Sequence, residues 1–158
     1  MKNIILSALL MSISLNAIAQ DLTGVWKGSF NESDSPHTFN SFEIEFIKRD
    51  SGIVLLTKTY FIFQGKKYFT VCIAKMKIDK QRNTLVITEE DRINSNFPKW
   101  FSNCFQKHTL FYSKRNGKEF LKGNWETADK SMNCGKGTTE LEKESAVAPN
   151  PEFKSPKN

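Results

Sequence analysis

The sequence predicts an all-β fold, an eight-stranded antiparallel up-and-down meander closed into a barrel. Three observations carry that prediction. Apolar and polar residues alternate with a period of two in segment after segment. The segments are rich in β-branched and aromatic residues, and the 158-residue chain holds 13 phenylalanines, a composition that suits a pleated, half-buried surface. No helical periodicity is found after the first twenty residues.

Those first residues form a separate unit. "MKNIILSALLMSISLNAIAQ" has Lys2 in a short basic start, an apolar run from Ile4 to Leu15, and the small-x-small pattern Ala17-Ile18-Ala19. This is the form of a signal peptide over residues 1–19, too short to be a membrane span. No cysteine follows the cleavage pattern, so no lipid anchor is expected there. The domain is expected over 20–143, with a proline-containing disordered tail over 144–158. No later segment is long and apolar enough to span a bilayer, and the chain is expected to be exported, periplasmic or secreted.

The strands follow in order. "LTGVWKGSF" opens the domain. "SFEIEFIKR" places Phe42, Ile44 and Phe46 on one face and Glu43 and Glu45 on the other. "GIVLLTKTYFIF" is β-branched and aromatic, and "KKYFTVCIAKMKI" closes on alternating lysines with Met76 and Ile78 between them. "NTLVITEE", "CFQKHTLFYSKR", "KEFLKGNWE" and "KGTTELEK" complete the eight. Asp50-Ser51-Gly52, Asp79 to Asn83 and Asn116-Gly117 make one end of the meander a set of tight turns, and Asn-Gly is a strong hairpin signal. The other end receives "NESDSPHTF", the short Gln64-Gly65 turn, "DRINSNFPKWFSN" and "TADKSMNCGKG". Three long loops are therefore expected to decorate one rim. Eight strands closed in this way enclose a space that side chains can fill or one small ligand can occupy.

Cysteine placement supports the topology. Pairing the sixth and seventh strands about Asn116-Gly117 sets Cys104 opposite Asp129, close to the loop that carries Cys134. A Cys104–Cys134 disulfide is expected, as suits an exported chain. Cys72 shares a strand face with Met76 and Ile78 and reads as a buried free thiol, with pairing to either other cysteine as the rival.

Charge and motifs exclude more than they assign. The formal net charge is +6; with Lys2 in the leader, the remainder carries 22 basic against 17 acidic side chains. That balance favours anionic partners slightly but does not specify nucleic acid. Lys66, Lys67, Lys75, Lys77, Lys80 and Arg82 interleave with apolar residues and read as a solvated strand face. With two histidines and no Cys-x-x-Cys spacing, no metal site and no cofactor are expected. No nucleophile–base motif is present, so no enzyme is expected. Glu89 and Glu90 read as a solvated strand end, with one carboxylate inside the barrel as the alternative.

The opening triplet Gly24-Val25-Trp26, repeated as Gly123-Asn124-Trp125, resembles the G-x-W triplet that begins the first strand in lipocalins and avidin-like proteins. The chain is similar in layout to small exported bacterial β-barrels of the lipocalin-like, calycin type. The resemblance implies a barrel with Trp26 packed across the closed end. The chain departs from lipocalins in lacking a T-D-Y-like segment and an arginine on the final strand to stack on Trp26.

Two functions fit these features. In the first, the barrel binds a small apolar molecule, with Phe42, Ile44, Phe46, Met76 and Ile78 lining the interior. In the second it is a protein-interaction module, an inhibitor or envelope partner, using the aromatic rim loop 96–104. Phe97, Trp100 and Phe101 would be its anchors, or would fold down over the mouth.

Overall fold

The fold is taken from a computed structural model that describes residues 22–82, 84–98, 104–132 and 134–145, with the side chains at 35–39 and 63 left aside. The expected leader over 1–19, residues 146–158 of the expected tail, and Trp100 and Phe101 lie outside the described residues. Eight strands run in sequence: β1 (Gly24–Glu32), β2 (Ser35–Arg49), β3 (Gly52–Phe63), β4 (Lys66–Asp79), β5 (Thr84–Ser95), β6 (Gln106–Arg115), β7 (Lys118–Thr127) and β8 (Lys136–Lys143). Each pairs antiparallel with its neighbour, and β1 pairs with β8, closing the barrel. Among the described residues no helix is long and apolar enough to cross a membrane.

The alternation sets the inside. Trp26, Phe30, Phe42, Ile44, Phe46, Leu55, Leu85, Ile87, Leu110, Leu121 and Leu141 are buried and form one cluster. The glutamates that alternate with the inward residues of β2 face out, and Glu45 meets Lys58 of β3 at 3.3 Å. At the closed end Trp26 donates its indole N–H to the Leu22 carbonyl at 2.9 Å. The Lys143 ammonium stands 5.5 Å from the Trp26 ring centroid, and the Tyr112 ring meets it edge-on at 6.3 Å. The final strand therefore does place a cation on Trp26. It is a lysine, and its contact with the ring is electrostatic as well as apolar.

The two ends differ as expected, with one correction. Tight turns close the Trp26 end at Arg49–Gly52, Asp79–Thr84 and Arg115–Lys118. At the mouth, the stretch "NESDSPHTF" is not a long loop. β1 and β2 turn at Ser33-Asp34, and β2 starts at Ser35. Pro36 is tolerated because it falls in the register shift between the Asn31↔Phe39 and Glu32↔Ser35 pairs, and β3 joins β2 only from Ser41, so no ladder bond needs the missing N–H. Asp91 to Ser95 likewise belong to β5. Two long connections, not three, remain at the mouth, and the Cys104–Cys134 disulfide ties them together. In the chain-entropy model a loop of this size contributes roughly 3–4 kcal/mol. Cys72 is free and buried.

Candidate functional site

The interior has two halves. Toward the closed end it is solid: Phe46 meets Trp26 edge-on at 6.4 Å, with Ile44, Ile87, Leu110, Leu121 and Leu141 fully buried around them. Toward the mouth polar residues join the buried set: Thr57, Thr59, Thr70, Glu89, His108 and Thr139 stand beside Phe30, Phe42 and Trp125. This change of chemistry, at the level where β5 and β6 part company, defines the candidate site.

β5 and β6 pair over only five positions, from Thr84↔Phe111 to Thr88↔Lys107. Beyond Thr88 the strands separate, and β5 follows β4 alone through two register shifts. The next rung would pair Glu89 with Gln106. Instead the Glu89 side chain turns inward, and its Oε2 accepts the Gln106 backbone N–H at 2.9 Å. Its Oε1 accepts the Thr57 hydroxyl at 2.6 Å. The carboxyl thus satisfies the backbone donor that the parting strands leave open, and it links β3, β5 and β6. It is 5 % exposed, and no lysine or arginine among the described residues forms an ion pair with it. Burial pushes its pKa above the ordinary carboxylate range, against the pull of the Thr57 and Gln106 bonds.

His108 continues the layer. Its Nε2 lies 3.1 Å from the Gln106 Oε1 and its Nδ1 3.0 Å from the Thr139 hydroxyl. An amide oxygen only accepts, so Nε2 carries the proton and Nδ1 accepts from Thr139. The ring stacks on Phe42 at 4.6 Å. Burial drives the imidazole pKa down to about 3, so the ring is neutral across the physiological range. Cys72 completes the layer from β4, with its thiol pushed up to about 11 by burial and then by the nearby Glu89. Among the described residues no group of three or more His, Cys, Asp or Glu is placed to hold a metal ion.

Above the polar layer stands an aromatic wall. Phe61 stacks on Tyr68 at 5.6 Å, and Phe97 packs on Phe61 at 4.9 Å and on Tyr68 at 6.0 Å. All three are half-buried. Asn96 fixes the start of the loop beside β4: its Oδ1 accepts the Phe69 N–H at 2.7 Å and its Nδ2 donates to the Lys67 carbonyl at 3.2 Å.

The sequence-predicted residues fall into distinct places. Phe42, Ile44 and Phe46 are inward and fully or almost fully buried; Phe42 packs on Phe30 and His108, and Phe46 on Trp26. Met76 is partly buried against them. Ile78 is not an interior residue: it sits beside the tight turns of the closed end and is 36 % exposed, because β4 runs out past the core there. Of the two readings of Glu89 and Glu90, a solvated strand end or one carboxylate inside the barrel, the structure bears out the second: Glu89 is the buried centre of the polar layer. Its neighbour Glu90 does face solvent, paired with Lys75 at 2.7 Å. The signal that could have found Glu89 is its phase: it continues the Leu85–Ile87 alternation that points inward.

A groove of about 340 Å³ also lies on the outer face of the barrel, lined by Lys27, Ser29, Asn31, Phe120, Thr138 and Glu140 among others. It is open, and its acids are committed: Glu140 pairs with Lys122 and Glu142 with Lys118. It lacks the buried polar chemistry of the mouth.

The architecture is an eight-stranded antiparallel barrel compatible with a lipocalin-like layout; no family model, curated protein or solved structure matches the chain.

Proposed function

We propose that the barrel binds a small, largely apolar molecule in its mouth half, above the polar layer, with one polar group of the ligand directed at Glu89. The site is not the deep interior between Phe42 and Phe46. One observation carries this reading: Glu89 is a buried carboxyl held by two donors and by no opposing charge. Burying such a group costs free energy, and groups held at this cost cluster at functional sites. The half-buried Phe61, Tyr68 and Phe97 supply the apolar wall that a pocket with few polar groups needs. The reading is of binding without turnover.

The test is native mass spectrometry on protein purified gently from its own source. A stoichiometric extra mass that leaves on denaturation is expected. Glu89→Gln, which keeps the shape and removes the acid, is expected to lower its retention roughly tenfold, the order of one hydrogen bond to a charged group. A bare protein mass, or full retention in Glu89→Gln, would overturn the assignment.

A second reading is favoured by the Cys104–Cys134 bridge, which stiffens both long mouth connections. In it the rim is a protein-binding surface with Trp100 as its anchor. Trp100→Ala is then expected to abolish capture of the partner while leaving the melting temperature unchanged. Capture at wild-type strength by that variant would remove the case for the rim.

A further inference from the structure

We propose that the tip of the β3–β4 hairpin docks on an anionic lipid surface. The tip stands clear of the barrel. β2 leaves β3 at the Ser41↔Tyr60 pair, whereas β3 and β4 remain paired to Phe63↔Lys66. The turn between them is only Gln64-Gly65, both with positive φ, 50° and 73°, which makes a narrow two-residue end. The tip is held firm on its inner side by Phe61, Tyr68 and Phe97, and along β4 by the two Asn96 bonds to Phe69 and Lys67.

Its outer side carries the chemistry of an interfacial anchor. Ile62 is 75 % exposed, the highest value among the exposed large hydrophobic residues. It pairs across the hairpin with Lys67, and Lys66 follows the turn; both lysines are exposed. Tyr60, two residues below Ile62 on the same face, lies under the Lys67 ammonium at 5.0 Å. From the tip inward the ladder therefore brings Lys66 in the last rung, then Ile62 beside Lys67, then Tyr60 two rungs further on the face of Ile62: a cation, an apolar side chain with a second cation, and an amphipathic ring. Lysine stems can lie along an apolar boundary while the charge reaches headgroups, and a tyrosine suits the interfacial depth.

Charge complementarity selects the partner. From Thr59 to Thr70, the stretch that makes the tip, the chain carries Lys66 and Lys67 and no aspartate or glutamate; Lys75 and Lys77 stand toward the closed end, with Lys75 paired to Glu90. The acids nearest in sequence to the other mouth turns, Glu32, Asp34 and Asp129, belong to other connections of the barrel. A narrow, acid-free two-residue tip can enter a headgroup layer. Anionic phospholipid is the surface that rewards both the isoleucine and the lysines. The inference stands apart from whether the mouth holds a ligand.

The experiment is flotation of the protein, purified after export of the full-length chain, with vesicles of equal parts phosphatidylglycerol and phosphatidylcholine, and with vesicles of phosphatidylcholine alone. Binding is expected to the anionic vesicles and to weaken as NaCl is raised. Lys66→Glu and Lys67→Glu are each expected to weaken it roughly fivefold or more, and Ile62→Ser roughly tenfold. In Ile62→Trp, with the other tryptophans as background, added anionic vesicles are expected to shift the emission to the blue. All three positions are exposed, so unchanged melting temperatures of the four variants will certify folding. Equal binding to both vesicle types, or variants that bind as the wild type does, would overturn the proposal. So would a tip that captures a protein but no vesicle.

Discussion

Gly137→Ala is expected to destabilise the barrel by more than about 3 kcal/mol, the range of a core overpacking combined with lost buried hydrogen bonds. A Cβ at this position would stand 1.8 Å from the Asn31 carbonyl oxygen and 2.8 Å from the Trp125 Nε1. Neither neighbour can step aside cheaply. The Asn31 oxygen is backbone, and it accepts the Trp125 indole N–H at 2.7 Å. The Asn31 side chain accepts both the backbone N–H and the hydroxyl of Thr138, so a shift of one strand breaks several bonds at the β1–β8 closure. Trp125 would also lose its edge contact with Phe30 at 5.2 Å. Gly117→Ala is the control. Nothing lies within 4 Å of its added Cβ, and only its φ of 78° opposes the change, for a cost of about 1 kcal/mol. Urea unfolding of the two variants measures the difference. A Gly137→Ala protein as stable as the wild type would show that the strands do not approach this closely.

The second large effect concerns pH. His108 binds its proton in the unfolded chain near 6.5 but in the fold only near about 3. Between those values the unfolded state holds more protons, so stability rises with pH, by at most about 1.4 kcal/mol per pH unit. Glu89 acts with the opposite sign. Its folded pKa is raised above 4.5, so in the window above 4.5 the unfolded chain has released a proton that the fold retains, and stability falls as pH rises. From pH 4.5 upward, as far as the raised Glu89 pKa reaches, the two slopes oppose each other, and the wild-type profile is expected to be shallower than His108 alone would make it. Glu89→Gln is expected to uncover the His108 slope there, with stability climbing toward pH 6.5. His108→Gln is expected to uncover the reverse. Denaturant unfolding at half-unit pH steps checks both, and parallel curves for the three proteins would show that the buried layer does not titrate as described.

The strands were legible because their signal is local. Alternation over "SFEIEFIKR" needs no knowledge of partners, and the Asn116-Gly117 turn fixes a register that carries Cys104 to the neighbourhood of Cys134. The polar layer was harder to read because its meaning depends on where β6 stops following β5. Nothing within "ITEED" announces that the next rung is missing, so the inward phase of Glu89 looked like the solvated end of a strand. The cation on Trp26 was missed for a different reason. Only an arginine was sought on the final strand, and Lys143 reaches the same ring. The first mouth turn was misread because Ser, Asp, Pro and His crowd it, and that composition reads as loop wherever a strand has a partner on one side only.

The closure of β1 on β8 has a consequence for how the chain comes to its fold. Seven of the eight pairings join neighbours in sequence. The eighth joins Trp26 to Lys143 and Gly28 to Leu141, contacts between the two ends of the domain, and such distant pairings are the slow ones to form. For a chain delivered end first, from a ribosome or through a membrane pore, β1 has no second partner until β8 emerges. Trp26 waits for its lysine, and the Asn31 carbonyl of β1 for the Trp125 indole N–H. The domain therefore passes through its delivery as an open meander, and its last strand is the one that completes it.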